Sequence, residues 1–303
     1  MSDVQESKFP PLALRLASPL EYLPDARLTD AGLQLWLKRD DLIHPELPGN
    51  KWRKLKYNLQ AAAEYGHGDL LTFGGAYSNH IRATAAAGHY FGLSTIGVIR
   101  GEPHDPLNWS LRYAASQGMR VRYLDRETYR QKTSAHVIGD LRRELGRFYL
   151  LPEGGSNELA VRGCAELPAE IGPDFDVICC PCGTGGTLAG IAAGLRPGRQ
   201  AIGFPVLKGG EFLAGEVSRL QASATGSVSG NWRLECGFHF GGYARTTPEL
   251  TEFIGTFEKR HGLLLDWVYV AKMMFGIFAM ARRREFAPGT RIVAVITGSP
   301  GRS

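Results

Sequence analysis

Short apolar runs alternate with longer segments of helical spacing along the first half of this chain. Segments with helical spacing begin near Ser78, Leu107 and Ser134, and each follows an apolar run. The apolar runs lie at 33–38, 70–73, 95–99, 120–124 and 148–151. Strands that alternate with helices predict a parallel sheet joined by right-handed crossovers.

The same alternation of predicted strands and helices begins again in the second half of the chain. Buried strands are predicted at 176–180, 201–204 and 291–296, and helices at 187–195, 248–261 and 271–284. The polar, glycine- and serine-rich segment 221–231 is typical of a surface loop. The pattern therefore predicts an α/β protein with two domains, each built on an open twisted parallel sheet. We place the larger domain at residues 1–52 and 160–303 and the smaller one at 53–159.

Composition narrows the class of protein. The chain has 303 residues, 44% of them apolar, which is enough for two hydrophobic cores. It has neither an apolar signal segment at its start nor an apolar run long enough to span a bilayer, so we expect a cytoplasmic protein. The net charge of +5 is modest and spread out, which favours anionic small molecules over nucleic acid or a membrane as partners.

The five cysteines do not form a secreted disulfide pattern. Cys179, Cys180 and Cys182 crowd into one apolar run, while Cys164 and Cys236 stand apart. The pair Cys180 and Cys182 has no second Cys/His pair at zinc spacing. We therefore expect reduced, buried thiols and no metal site.

One lysine stands at a helix entrance. Pro48-Gly49 predicts a turn, and the residues from about Trp52 onward regain helical spacing, so Lys51 lies where the helix begins. Taken alone, Lys51 is most simply a solvated lysine near a helix start.

Two further segments follow predicted strands at helix entrances. In Cys182-Gly-Thr-Gly-Gly-Thr187, backbone N–H groups and two hydroxyls can converge on a phosphate, although any tight strand-to-helix turn favours glycine. This loop is neither a Walker loop nor a dinucleotide fingerprint, because Leu188 stands where the third glycine is needed. The other segment, Gly74 to His80, carries Ser78 and Asn79, which are good helix caps and also potential ligand donors.

A lysine and a monophosphate cradle together are what pyridoxal 5'-phosphate requires. In these residues the chain resembles the 1-aminocyclopropane-1-carboxylate deaminase and D-cysteine desulfhydrase family. That family is one of the tryptophan synthase β-like enzymes of PLP fold type II. The resemblance spans nearly the whole chain, and its motifs lie at 38–41, 49–55, 78–82, 153–157, 183–187, 265–272 and 296–298.

The resemblance implies a role for each matching residue. Lys51 would hold the cofactor covalently and act as the base, and Asn79 would bind its phenolic oxygen. Thr297 would lie near the pyridine nitrogen. The phosphate would be held by Asn50, Gly183, Thr184, Gly185, Gly186 and Thr187. Substrate would be bound by Ser78, Asn79, His80 and Tyr77, and Ser78, Tyr243 and Tyr269 would join Lys51 in catalysis. Tyr269 also fits an ordinary core position, and Thr297 an ordinary strand end.

The departures from the family pattern concern the substrate. Deaminases of this family carry a glutamate where this chain has Val270, and a leucine where it has Thr297. A carboxylate near the pyridine nitrogen would strengthen the electron sink, so its absence disfavours opening of a cyclopropane. Tyr77 replaces the more usual glutamine before Ser78.

The resemblance and its departures together predict β-elimination from a small amino acid, as in D-cysteine desulfhydrase, giving pyruvate, ammonia and sulfide. Two alternatives stay open: a 1-aminocyclopropane-1-carboxylate deaminase, and a catalytically silent protein that binds PLP or senses a metabolite. The resemblance also implies a homodimer.

Overall fold

The computed structural model describes residues 13–103 and 105–298. Its β-strands are β1 Leu20–Leu23, β2 Gln34–Lys38, β3 Asp69–Gly74, β4 Ser94–Arg100, β5 Arg120–Leu124, β6 Tyr149–Leu151, β7 Val177–Cys182, β8 Gln200–Pro205, β9 Trp232–Leu234 and β10 Arg291–Val295. Its α-helices are α1 Ala26–Thr29, α2 Asn50–Glu64, α3 Asn79–Phe91, α4 Trp109–Ser116, α5 Arg126–Arg130, α6 Ala135–Leu145, α7 Glu158–Cys164, α8 Leu167–Ile171, α9 Gly186–Gly194, α10 Leu213–Thr225, α11 Pro248–His261 and α12 Val270–Arg282.

The described chain divides into two compact units. The smaller unit holds residues 13–15 and 58–155, and the larger unit holds residues 16–57 and 156–298. The chain therefore passes from one unit to the other within α2 and again after residue 155. The sequence pattern placed these two boundaries at 52/53 and 159/160.

Each unit is built on its own sheet. The smaller unit has four strands in the order β5-β4-β3-β6, all parallel. The larger unit has six strands in the order β1-β2-β10-β7-β8-β9, and only the edge strand β1 runs antiparallel to its neighbour. The α/β fold with parallel sheets is therefore confirmed.

The central strand β7 has a uniformly apolar sequence because it is buried on both faces of the sheet. All six of its residues are buried, because helices cover both faces of the sheet. Cys179 packs in the cluster that contains α12, and Cys180 packs in the cluster that contains α9 and α10. The cysteine thiols are free, and burial raises the pKa of the Cys179 thiol.

The described part of the chain contains neither a membrane-spanning helix nor a cluster of metal ligands. Within residues 13–103 and 105–298, no helix has the length and apolar character needed to cross a bilayer. The same residues contain no group of three or more His, Cys, Asp or Glu side chains arranged to hold a metal ion.

The structure corrects two local predictions. The helix predicted to begin near Trp52 begins at Asn50, so Lys51 is the second residue of its first turn. The predicted loop at 221–231 is wrong in its first part, because α10 extends to Thr225. Gln221 is fully buried there, and its side-chain amide donates to the Ala189 carbonyl oxygen at 3.2 Å. A polar residue can lie inside a packed helix when its hydrogen bonds are satisfied in this way.

Candidate active site

The lysine turn, residues 48–51, is held against the end of strand β10. The Gly49 N–H donates to the Asp40 carbonyl oxygen at 2.8 Å, and the Asp41 N–H donates to the Ile296 carbonyl oxygen at 2.8 Å. Gly49 has a φ of 57°, and a Cβ there would lie 1.9 Å from the Thr297 carbonyl oxygen. Only glycine fits this position, so the turn places the start of α2 beside Thr297.

Lys51 is connected by hydrogen bonds to the glycine loop, which is residues 183–187. Its Nζ donates to Asn50 Oδ1 at 2.9 Å, and Asn50 Nδ2 donates to Thr187 Oγ1 at 2.9 Å. Asn50 and Thr187 are buried, whereas Lys51 is half-buried. The amide of Asn50 therefore fixes the lysine amine relative to the first turn of α9.

The glycine loop joins β7 to α9. Gly185 has a φ of 77°, a backbone conformation that glycine adopts readily. Thr184 Oγ1 lies 2.6 Å from Ser156 Oγ, and a Cβ on Gly186 would lie 2.5 Å from the same serine oxygen. Small residues and hydroxyl groups therefore meet at the positive end of α9, which is the arrangement of an anion cradle.

Lys54 is a residue of this cradle that the sequence analysis missed. Its Nζ lies 3.0 Å from Ser156 Oγ and 3.4 Å from Thr184 Oγ1. The side chain is buried, and burial lowers the pKa of its amine. Its position three residues after Lys51 was the available signal, since residues three apart lie on the same side of a helix.

A buried ionic cluster lies behind the lysine turn. The Arg53 guanidinium forms ion pairs with Asp40 at 2.7 Å and with Glu170 at 2.7 Å. Lys38 Nζ lies 2.9 Å from Glu170 and donates to the Ser18 carbonyl oxygen at 2.7 Å. Two cations and two carboxylates thus balance each other and hold the end of β2, the start of α2 and α8 together.

The two tyrosines lie beside the glycine loop. A Cβ on Gly183 would lie 3.2 Å from the Tyr269 ring, so this ring packs directly on the loop. The rings of Tyr243 and Tyr269 have centroids 5.9 Å apart in an edge-on arrangement. Asp266 Oδ1 accepts the Tyr269 N–H at 2.6 Å, which fixes the backbone of Tyr269.

Val270 follows Tyr269 and is fully buried in the core cluster that contains α12. It therefore packs as a core residue.

The smaller unit presents the other predicted residues. Ser78 caps α3 by accepting the Ile81 N–H at 3.3 Å, and Asn79 begins the helix. Tyr77 is 59% exposed and lies beside Trp109.

The side chain of His80 is turned into the smaller unit. It is buried, and its Nε2 lies 2.8 Å from Thr72 Oγ1. The ring of His80 therefore points away from the entrance of α3.

The structure thus brings one group of predicted residues together in the larger unit and another in the smaller unit. The larger unit holds Asn50, Lys51, Gly183, Thr184, Gly185, Gly186, Thr187, Tyr243, Tyr269 and Thr297. The smaller unit holds Tyr77, Ser78, Asn79 and His80.

Residues 14–298 match the family described as pyridoxal-phosphate dependent enzymes. This chain belongs to that family. Membership confirms that pyridoxal phosphate is the cofactor of this enzyme.

Known members of the family resemble the chain over most of its length. A Pyrococcus furiosus protein, named as a candidate 1-aminocyclopropane-1-carboxylate deaminase, is 33% identical over 96% of this chain and 92% of the relative. The mitochondrial bifunctional D-cysteine desulfhydrase/1-aminocyclopropane-1-carboxylate deaminase of Arabidopsis thaliana is 32% identical over 88% of this chain and 72% of the relative. The crystal structure of an ACC deaminase homologue superposes with a TM-score of 0.84 at 30% identity, covering 95% of this chain and 90% of that one.

The geometry of the larger unit fits pyridoxal phosphate. The cradle offers hydroxyls, a buried amine and the start of a helix, which are groups that bind a phosphate dianion. The Lys51 amine is the group that would bond to the aldehyde of the cofactor. Hydrogen bonds through Asn50 connect it to the same cradle. A Cβ at Gly186 would approach Lys54 Nζ to 3.2 Å, so the missing side chain keeps this corner open.

Proposed function

We propose that this PLP-dependent enzyme is a lyase that eliminates a group from Cβ of a small amino acid, with D-cysteine as substrate. The products are pyruvate, ammonia and sulfide. The observation that carries the proposal is the hydrogen-bonded chain from Lys51 through Asn50 to Thr187, which couples a reactive amine to a phosphate cradle. The name of the Arabidopsis relative supports D-cysteine as the substrate.

The cofactor would be held mainly by residues of the cradle. Lys51 is the amine for the cofactor aldehyde, and Lys54 adds a cation to the phosphate site. We assign Asn79 to the phenolic oxygen and Thr297 to the region of the pyridine nitrogen. The phosphate would be bound by Asn50, Gly183, Thr184, Gly185, Gly186 and Thr187.

Lys51 would remove the proton from Cα of the substrate. Bound pyridoxal phosphate supplies the electron sink that makes this proton removable. The side-chain amide oxygen of Asn50 accepts from the Lys51 amine and so orients its lone pair and its protons. As the C–S bond breaks, Tyr243 or Tyr269 would give a proton to the departing sulfur. Water then hydrolyses the enamine product to pyruvate and ammonia.

The substrate carboxylate would bind at the start of α3. Ser78 and Asn79 lie there, and the first turn of a helix attracts an anion. We assign the backbone N–H of His80 to this site, because its ring faces Thr72. Tyr77 is exposed at the same elbow and would shape the space around the substrate.

Ring-opening of 1-aminocyclopropane-1-carboxylate is the second candidate, because both relatives described above carry that activity in their names. Val270 argues against it. Valine has no carboxylate, so position 270 cannot strengthen the electron sink.

A single assay series tests the proposal. The purified enzyme, saturated with pyridoxal phosphate, should release pyruvate and sulfide from D-cysteine. Release of 2-oxobutyrate from 1-aminocyclopropane-1-carboxylate without sulfide from D-cysteine would favour the second candidate. Lys51→Ala should abolish turnover and the visible absorbance of the covalently bound cofactor; an unchanged visible band in that variant would disprove the role of Lys51. Binding of the cofactor with no turnover of any D- or L-amino acid would indicate a silent binding protein.

We also propose that the enzyme is a homodimer, as its resemblance to the desulfhydrase family implies, and that it acts in the cytoplasm. Light scattering coupled to size-exclusion chromatography measures the mass against 33.1 kDa for one chain. Cell fractionation tests the compartment.

A further inference from the structure

The loop that carries Tyr243 has an unusual backbone. Phe240 and Ala244 have φ values of 51°, and Gly241 and Gly242 have φ values of 88° and 119°. A left-handed conformation is unfavourable at a non-glycine residue, so Phe240 and Ala244 keep it only because their surroundings impose it.

Lys272 binds the backbone of this loop through hydrogen bonds. It lies in the first turn of α12 and is fully buried. Its Nζ donates to the His239 carbonyl oxygen at 2.9 Å and to the Gly242 carbonyl oxygen at 2.6 Å. These two carbonyls lie on either side of Phe240 and Gly241, so one amine holds both ends of the bend immediately before Tyr243.

The same helix also fixes the loop through its aromatic residues. Phe275 lies one turn after Lys272, and its ring meets the Phe240 ring edge-on at 4.9 Å. Tyr269, directly before α12, contacts the Tyr243 ring. Lys272 is the polar member of this set, and its bonds act on the backbone rather than on a ring.

The two bonds do not depend on the charge of the amine. Burial lowers the pKa of Lys272 to about 8, although the carboxylate of Asp266 acts in the opposite direction. An ammonium group has three N–H donors and a neutral amine has two, so both forms can serve two carbonyls.

We propose that Lys272 is a positioning residue that sets the conformation of the loop 239–243 and thereby the place of Tyr243. This inference rests on the proposed function, in which Tyr243 can transfer a proton. Lys272 itself contacts backbone carbonyls and acts only through the loop.

The test places 3-fluorotyrosine at position 243 and records its ¹⁹F NMR signal in the cofactor-free protein. Lys272→Met removes both donors while keeping a long apolar side chain. We expect the signal to shift or broaden, and trypsin to cleave after the exposed Arg245 about tenfold faster, because the loop loses its anchor. Lys259→Met, on the exposed side of α11, is the matched control and should change neither readout.

Kinetics then separate this inference from the proposed function. In the loaded enzyme, Lys272→Met should lower kcat about 10- to 100-fold with little change in KM, and adding Tyr243→Phe should cost little more. An unaltered ¹⁹F signal and unaltered cleavage in Lys272→Met would overturn the positioning role. A changed signal with unchanged kcat would support the positioning role and contradict the catalytic role of Tyr243.

A second variant covers the case in which Lys272→Met does not fold. Lys272→Gln keeps two N–H donors on a shorter side chain, so it can reach only part of the distance to both carbonyls. A ¹⁹F signal shifted from that of the parent and faster cleavage after Arg245 are expected, and parent-like values would count against the proposal.

Discussion

Arg53 and Lys54 are neighbours on α2, both are buried cations, and their surroundings are opposite in kind. The Arg53 guanidinium lies between the carboxylates of Asp40 and Glu170. The Lys54 amine lies against the hydroxyls of Ser156 and Thr184 at the glycine loop. One peptide bond thus separates a charge balanced by carboxylates from a charge placed among neutral donors and acceptors.

The pKa values of Arg53 and Lys54 shift in opposite directions because their surroundings differ. Burial acts to lower the pKa of Arg53, but hydrogen bonds to Asp40 and Glu170 outweigh it and raise that pKa. At Lys54 burial prevails, and the pKa of the amine falls. The Arg53 cluster is therefore complete without a ligand, whereas a phosphate dianion at the cradle would favour the charged form of Lys54. The first arrangement builds the fold and the second prepares a binding site.

Removal of Arg53 should produce the largest effect on stability. Arg53→Met leaves two carboxylates buried without their main partner, so we expect the free energy of unfolding to fall by about 3–5 kcal/mol. Urea denaturation of the cofactor-free protein measures this loss. Arg219→Met, which breaks an exposed pair with Glu216, is the control and should cost at most about 1 kcal/mol. An equal, small loss in both variants would show that the buried cluster is dispensable.

Acid should weaken the Arg53 cluster. Burial acts to raise the pKa of Glu170, but hydrogen bonds from Arg53 lower it from 4.5 to about 2. A carboxyl with a depressed pKa contributes stability above its unfolded value, and that contribution is lost as the pH falls from about 4.5 to about 2. The shift corresponds to about 3 kcal/mol.

Urea denaturation at pH 7 and pH 3 measures this effect of pH. Glu170→Gln should show a smaller decrease between these two values than the parent protein does. Glu252→Gln, at an exposed position on α11, should behave like the parent. If Glu170→Gln keeps the full pH dependence, the acid sensitivity arises elsewhere.

Lys54→Met should have the reverse profile to Arg53→Met. The affinity for pyridoxal phosphate should fall about 10- to 100-fold, because a charge-assisted hydrogen bond to phosphate is lost. Unfolding of the cofactor-free protein should change by less than about 1 kcal/mol, since methionine fills a similar volume without a buried amine. Cofactor titration followed by fluorescence, beside urea denaturation, gives both numbers. Unchanged affinity with a large loss of stability would reverse the comparison.

Thr187→Val should give the smallest of these effects. The valine keeps the shape of the side chain but removes the hydroxyl that accepts from Asn50 Nδ2. We expect cofactor affinity to fall about fivefold, corresponding to about 1 kcal/mol for one neutral hydrogen bond. The same titration detects it, with Thr251→Val on the exposed face of α11 as the control. A loss as large as that of Lys54→Met would mean that Thr187 does more than support Asn50.

The sequence by itself determined the α/β class, the parallel sheets and the presence of a lysine turn and a glycine loop. These features are local: strand and helix periods repeat over a few residues, and Gly49 and Gly185 occupy backbone conformations that favour glycine. The cofactor could be predicted for the same reason, since the required residue types lie in short motifs. The helical start of 221–231 was not predicted, because long-range packing around Gln221 decided it.

Only the tertiary structure decided which polar residues serve the site. Lys51, Arg53 and Lys54 share one helical turn, and their sequence spacing cannot separate an active amine, a structural ion pair and a cradle cation. Their surroundings decide it, and the residues that provide those surroundings lie far away in sequence: Thr187 for Lys51, through Asn50, Glu170 for Arg53 and Ser156 for Lys54. The surroundings of a buried charge, set by residues more than a hundred positions apart, give it its role.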